Sequence, residues 1–550
     1  MSMSVHFCLA CVILSFQNAE ATLSESMQET LARVPDVGLL RGLQHKSDGV
    51  RVFAGIPYAQ PPVGDLRWRQ PNPLPKSQGE VDARSFGQPC PQASGSKVIG
   101  QEDCLTLNVF APREENHSAD PLPVLVFFHG GDFVKGTTNI YLNGTWGPLY
   151  NGQALAAQGV VVVTVQYRLA ILGFLGSSEL RKRDPLGSSG NYGVQDQRLA
   201  LQWVRQHISA FGGNPKRVTI FGQSAGAGSI SFHLIAKASR GLFHAAVLQS
   251  GACAPWSSQT WDQAESSFKH VQLRAKCTTV ECLLTVPASD LIIATNKNGA
   301  QDLGWAPTAD GVEMDALPCA KMSQGDFAKV PIIVGFNRDE SAPDGNIDMT
   351  ETEFDKFLEW QVPKHVHRKV KADYSAMNTA WFWAAQRIKA DMSVSCPTRK
   401  FVHAATKGGA PVYAYKFSHQ PDFDVRLMYG QDATAKFLQQ QWGAYHGADL
   451  AFVFGNPRIP GWGVSLSPGD SRLASIISKK WVQFAKTGQP SADWFSMSES
   501  APYLSKWLLL DSPNVTSSEA QLLGQCATYE EEAKLPSITS SASQPTVIIM

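Results

Sequence analysis

Apolar residues along this chain fall into two patterns. Five short runs, Leu122–Phe128, Gly159–Val165, Val218–Phe221, Ala245–Leu248 and Val330–Phe336, are rich in β-branched and aromatic residues and unbroken by polar alternation. Strands read that way when both of their faces are covered. Between several of them the apolar positions recur at helical spacing, as in Gln195–Val204. The succession of strand, helix and strand predicts an α/β fold with a large, mostly parallel central sheet and helices on both faces. Farther on, Val412–Phe417 reads as a further strand and Ala474–Thr487 as an amphipathic helix ended by Gly488. No internal repeat and no Pro/Gly/Ser linker long enough to divide the chain is present, so 22–535 is expected to form one domain.

One strand ends abruptly in chemistry. Val218–Phe221 runs into Gly222-Gln223-Ser224-Ala225-Gly226, a G-x-S-x-G, followed by small residues compatible with a helix. Strand, sharp turn and helix in that order thrust the serine hydroxyl up at the carboxyl edge of a sheet, with glycine on both sides because nothing larger fits. Ser224 is a candidate nucleophile.

A serine hydroxyl near neutral pH needs a base within reach and a third group to hold that base. In a hydrolase sheet the chain order is serine, then acid, then histidine. The strand Val330–Phe336 delivers Asn337-Arg338-Asp339-Glu340, so Asp339 and Glu340 are the acid candidates. Of the later histidines, His365 and His367 lie in a basic cluster and His403 in a helical pattern, which leaves His419, after a strand, and His446, in a turn. Spacing leaves that choice open. Acyl transfer also needs donors aimed at a developing oxyanion, and losing one costs about 10²–10³ in rate. His129-Gly130-Gly131-Asp132 follows a buried strand and can turn its N–H groups toward the serine, joined by the N–H of Ala225.

Composition narrows the partners. Forty-eight basic residues balance forty-eight acidic ones over 550 residues, and 43% of positions are hydrophobic, so the chain can bury a large core but has no field to gather nucleic acid. The basic cluster Lys364–Lys371 reads as a solvated helix face. An apolar run from Phe7 to Phe16 followed by Ala19-Glu20-Ala21 reads as a signal peptide over 1–21, and no later stretch is long enough to span a bilayer. Sequons at Asn116, Asn143 and Asn514 fit a secretory route and a secreted or lumenal destination. The tail 536–550 is Ser/Thr-rich and reads as disordered. Of ten cysteines, Cys8 and Cys11 fall in the leader, leaving eight available for oxidised pairs.

Beyond these motifs the chain resembles the type-B carboxylesterase/cholinesterase family of α/β hydrolases, from about Val37 to Tyr529. The resemblance is carried by Phe53-Ala54-Gly55-Ile56-Pro57-Tyr58-Ala59, Glu102-Asp103-Cys104-Leu105-Thr106-Leu107-Asn108, Gly190-Asn191-Tyr192-Gly193 and the serine motif. It implies Glu340 as triad acid, His446 as base, and Gly131, Asp132 and Ala225 as oxyanion donors, and it demotes His419. It also implies disulfides Cys90–Cys104, Cys277–Cys282 and Cys396–Cys526, and leaves Cys253 and Cys319 unassigned.

Three departures shape the expected chemistry. Asp132 stands where many relatives have Gly or Ala, so its carboxyl is expected to point away from the oxyanion. Gln223 replaces a common Glu, removing a negative charge beside Ser224 and His446. No aromatic residue lies between Cys90 and Cys104, where the cholinesterases resembled use a tryptophan to hold quaternary ammonium. Choline esters are therefore not expected as substrates. Gln223 and the Gly443-x-x-His446-x-x-Asp449 spacing are similar to insect juvenile hormone esterases. The reading is a secreted serine carboxylesterase acting on a small-molecule ester, with no metal or cofactor. The alternatives are an inactive, esterase-like adhesion or binding protein and, among enzymes, a lipase or hormone esterase.

Overall fold

The computed structural model describes residues 27–114, 120–138, 141–142, 145–146, 150–297, 300–301, 303–341, 348–375, 380–423, 442–459, 464–497, 507–511, 515–518 and 526. The leader, the three sequon asparagines and the Ser/Thr-rich tail lie outside them.

Twelve strands form the main path of a large mixed sheet: β1 (Met27–Val34), β2 (Gly38–His45), β3 (Arg51–Pro57), β4 (Thr106–Ala111), β5 (Leu122–Phe128), β6 (Val161–Val165), β7 (Gly213–Gln223), β8 (Ala245–Gln249), β9 (Ile332–Asn337), β10 (Val412–Phe417), β11 (Trp507–Leu510) and β12 (Val515–Ser518). Their spatial order is β1-β2-β3-β4-β6-β5-β7-β8-β9-β10-β11-β12, with a short strand at Glu80–Asp82 beside β2. Pairing is parallel from β6 through β11. The amino-terminal strands and β12 pair antiparallel.

The unbroken apolar runs are explained by two separate cores, one on each face of the sheet. Along β5, Val124, Val126 and Phe128 enter one core while Leu125 and Phe127 enter the other, and β9 splits Ile332 and Val334 from Ile333 in the same way. Successive strand side chains point to opposite faces, so a strand covered on both sides has no polar position. The first core is covered by helices α1 (Tyr192–His207), α2 (Ala225–Ile235), α3 (Pro318–Ser323) and α4 (Cys396–Lys407). The second is covered by α5 (Asp449–Phe454) and α6 (Pro468–Thr487).

The expected elements are present with shifted ends. The run at Gly159 starts its strand two residues later because Gly159 sits in a left-handed turn, φ 85°. Helix α6 begins six residues before the expected Ala474: Ser467 caps it by accepting from the N–H of Asp470, and Pro468 occupies the first turn. Gly488 ends it in a left-handed conformation as expected. The basic cluster lies partly on a helix, His367–Ser375, where Lys371 is paired with Glu351 and Asp355.

Four disulfides are formed: Cys90–Cys104, Cys277–Cys282 and Cys396–Cys526, as the resemblance implies, and Cys253–Cys319, which joins the loop after β8 to α3. What matters for chemistry is the register. Phe128 pairs with Gly222, Gln223 with Gln249 and Gln249 with Gly335, so the carboxyl ends of β5, β7, β8 and β9 are level and their loops emerge side by side.

Candidate active site

The chain turns from β7 into α2 at Ser224, whose backbone is left-handed at φ 58°, ψ −124°. Such a conformation costs a non-glycine residue about 1–3 kcal/mol and persists only where its surroundings over-determine it. They do so here. The Ser224 N–H donates to the carbonyl of Gln249 at 2.8 Å, and its carbonyl accepts from the N–H of Gly228 at 3.0 Å. The flanking glycines have no room for a side chain: a Cβ on Gly222 would lie 2.7 Å from the carbonyl carbon of Gly226, and one on Gly226 only 2.0 Å from the oxygen of Phe128. The sheet and the helix are clamped together at this turn.

Beyond β9 two adjacent carboxylates take opposite courses. Glu340 accepts the N–H of Asn337 on Oε1 at 2.6 Å and Nδ1–H of His446 on Oε2 at 2.5 Å. Asp339 instead accepts from the N–H of Ala444 at 2.9 Å and is paired with Arg338 at 2.8 Å and Arg387 at 3.0 Å. A β-bridge between Asp339 and Tyr445 lays the histidine loop along the end of β9. Gly443 enters that loop at φ 53°, and a Cβ there would meet Asp339 Oδ2 at 2.2 Å. The other candidate, His419, is held away from this cluster, with Nε2 2.6 Å from Asp470 on α6.

The far nitrogen of His446, Nε2, lies 3.1 Å from Nε2 of Gln223, the residue preceding Ser224. An amide nitrogen only donates, so the imidazole accepts there and carries its proton on Nδ1. Burial pulls the His446 pKa down, but Glu340, Asp132 and Asp449 outweigh it and hold it above the ordinary 6.5.

The turn after β5 lies across from the serine, where a Cβ on Gly130 would sit 2.9 Å from Ser224 Cβ. Gly131, Asp132 and Phe133 are all left-handed, at φ 110°, 53° and 59°. The carbonyl of Gly131 accepts from Val134 and Lys135, at 2.9 and 3.0 Å, and the Tyr167 hydroxyl donates to the His129 carbonyl at 2.7 Å, which fixes the turn. Among the described residues the N–H groups of Gly131, Asp132 and Ala225 donate to no protein acceptor. Desolvation raises the Asp132 pKa, opposed by attraction to His446 and Lys135.

Two groups at this site received no role from sequence reasoning. Asp449, at the start of α5, is buried and accepts from Gln249 at 2.8 Å and from the Tyr415 hydroxyl at 2.9 Å. Its one signal was its place three residues after His446. Asn337 ties Glu340 to the histidine loop by donating to the Tyr445 carbonyl at 2.7 Å. It is the last residue of β9, and the backbone N–H it offers Glu340 is invisible to residue type.

A strained serine, a carboxylate-oriented imidazole and unpaired backbone donors at one sheet edge are the parts that acyl transfer to and from a hydroxyl requires. Comparison with known proteins points the same way. Residues 28–523 match the profile of the Carboxylesterase family. The chain is 33% identical over 487 residues to a para-nitrobenzyl esterase of Bacillus subtilis (strain 168), covering 84% of this chain and 92% of the relative. It is 33% identical over 481 residues to a fumonisin B1 esterase of Sphingopyxis macrogoltabida, covering 84% of this chain and 82% of the relative.

Proposed function

The chain belongs to the carboxylesterase family and acts on carboxylic esters, and from that premise we propose that hydrolysis runs through an acyl-enzyme on Ser224. His446 Nε2 takes the Ser224 proton as Oγ bonds to the ester carbonyl carbon. Glu340 holds Nδ1–H and balances the imidazolium. The N–H groups of Gly131, Asp132 and Ala225 receive the oxyanion. Collapse of the tetrahedral adduct returns the proton from Nε2 to the departing alkoxide. Water then gives its proton to Nε2 as it attacks the acyl carbon, and Ser224 leaves with that proton.

The observation that carries this reading is the position of His446, between Glu340 at 2.5 Å on Nδ1 and the residue preceding Ser224 at 3.1 Å on Nε2. The leader, the sequons and the four disulfides support export to an oxidising compartment. Among the described residues no helix is long and apolar enough to cross a membrane. The relatives are named for p-nitrobenzyl and fumonisin B1 esters, and a series of p-nitrophenyl esters of rising acyl length probes the acyl preference of this chain. A fluorophosphonate probe should label purified protein at one serine, and Ser224→Ala should abolish both labelling and turnover. An unlabelled wild type, or a variant that turns over normally, would end the proposal.

A further inference from the structure

Gln223 is a buried side chain with a donor aimed at the nitrogen that must accept the serine proton. Its Nε2 lies 3.1 Å from His446 Nε2, while a Cβ on Gly130 would lie 2.9 Å from its Oε1, so the amide is confined between the turn after β5 and the imidazole. On the other side of the ring, Nδ1–H is committed to Glu340. Both nitrogens of the resting base are therefore occupied by protein.

We propose that Gln223 is a positioning residue for ester hydrolysis: its amide donates to Nε2, holds His446 as the neutral Nδ1–H tautomer beside Ser224, and yields that nitrogen to the serine hydroxyl in the reacting complex. This role rests on His446 acting as base to Ser224. The chemistry of the amide decides its effect. A donor satisfies neutral imidazole and opposes imidazolium, whose Nε2–H would face a second N–H. The contact thus favours the base form before reaction and the return of the proton to the leaving alkoxide after it.

Charge makes the amide consequential. The ionisable groups interacting with His446 are the carboxyls of Glu340 after β9, Asp132 in the turn after β5 and Asp449 on α5, and all three favour the imidazolium. Gln223 is the neighbour that favours the neutral ring. A glutamate in its place would be a fourth carboxyl and could only accept.

The test compares the pH profile of kcat/KM for p-nitrophenyl acetate in wild type, Gln223→Glu and Gln223→Met. The acid limb should move to higher pH by about one unit in Gln223→Glu, and by less in Gln223→Met, which removes the donor without adding charge. Fluorophosphonate labelling of Ser224 at the plateau pH should stay complete in all three. The Gln223→Met limb carries the test, because a carboxylate beside the ring raises its pKa whatever the native amide does, and a Gln223→Met limb coincident with the wild-type limb in fully labelled protein would overturn the proposal. Imidazole nitrogen chemical shifts of wild-type His446 provide a check that needs no variant: above the limb Nε2 should be the unprotonated nitrogen, and a proton on Nε2 would overturn it. Failure of Ser224 to label in wild type would instead remove the base assignment beneath it.

Discussion

Glu340 and Asp339 are neighbours in sequence that share no partner: one holds Nδ1 of His446, while the other is locked to Arg338, Arg387 and the Ala444 backbone. Their substitutions should separate accordingly. Glu340→Gln should lower kcat by roughly 10³–10⁴, the loss expected when an imidazole is no longer oriented by a carboxylate. Asp339→Asn should change kcat by less than about tenfold but lower unfolding free energy by about 1–3 kcal/mol, because the buried Ala444 N–H and two partly exposed guanidiniums lose their charged acceptor. Steady-state kinetics and urea unfolding on both variants check this, and a reversed pattern would exchange the two roles.

The acid side of the pH profile follows from the sign of the His446 shift. Its pKa is raised, so the imidazole protonates at a higher pH than an ordinary histidine, and the protonated ring is no base. Activity on p-nitrophenyl acetate should therefore fall with a single-proton limb whose midpoint lies above 6.5 as pH decreases. The linked stability has the opposite sense: it is fully present at low pH and is lost as pH rises through the folded-state pKa. A limb centred below 6.5 would contradict this balance.

Gly226 tolerates no side chain because the Phe128 oxygen would lie 2.0 Å from a Cβ. Gly226→Ala must displace either α2 or the end of β5, and with it the turn that carries Gly131 and Asp132. Fluorophosphonate labelling should fall at least about tenfold, and stability should drop by about 1–3 kcal/mol as for other overpacked cores. An alanine variant labelled at the wild-type rate would show that this clamp does not hold the serine turn.

His419 should matter to stability alone. Its Nε2 sits 2.6 Å from the buried carboxylate of Asp470, which also accepts from the backbone N–H of Asp422 at 3.0 Å. His419→Ala should leave kcat/KM within about threefold while costing about 1–3 kcal/mol in unfolding free energy. A large kinetic loss in a stably folded variant would return this histidine to the list of candidate bases.

Much of the architecture was written in local pattern. Runs without polar alternation marked the central strands because two cores use alternate residues of each, and G-x-S-x-G marked the serine turn because its crowding excludes any other residue at the flanks. The expected strand and the serine–acid–histidine order narrowed the acid candidates to Asp339 and Glu340. Family resemblance anticipated three disulfides, but not Cys253–Cys319, whose members are 66 residues apart and meet only after β8 and α3 are packed.

What local pattern could not decide was which acid and which histidine of two candidates each would meet. Asp339 and Glu340 have the same chemistry, and His419 and His446 are the same side chain in two separate loops. The choice was made by the β-bridge between Asp339 and Tyr445, which turns Glu340 toward Nδ1 of His446. The nature of the serine turn is a property of neighbours along the chain, whose sterics are local, and so it could be read in order. The pairing of acid, base and Gln223 depends on contacts across more than 100 residues, and only the packed sheet brings those atoms within hydrogen-bond distance.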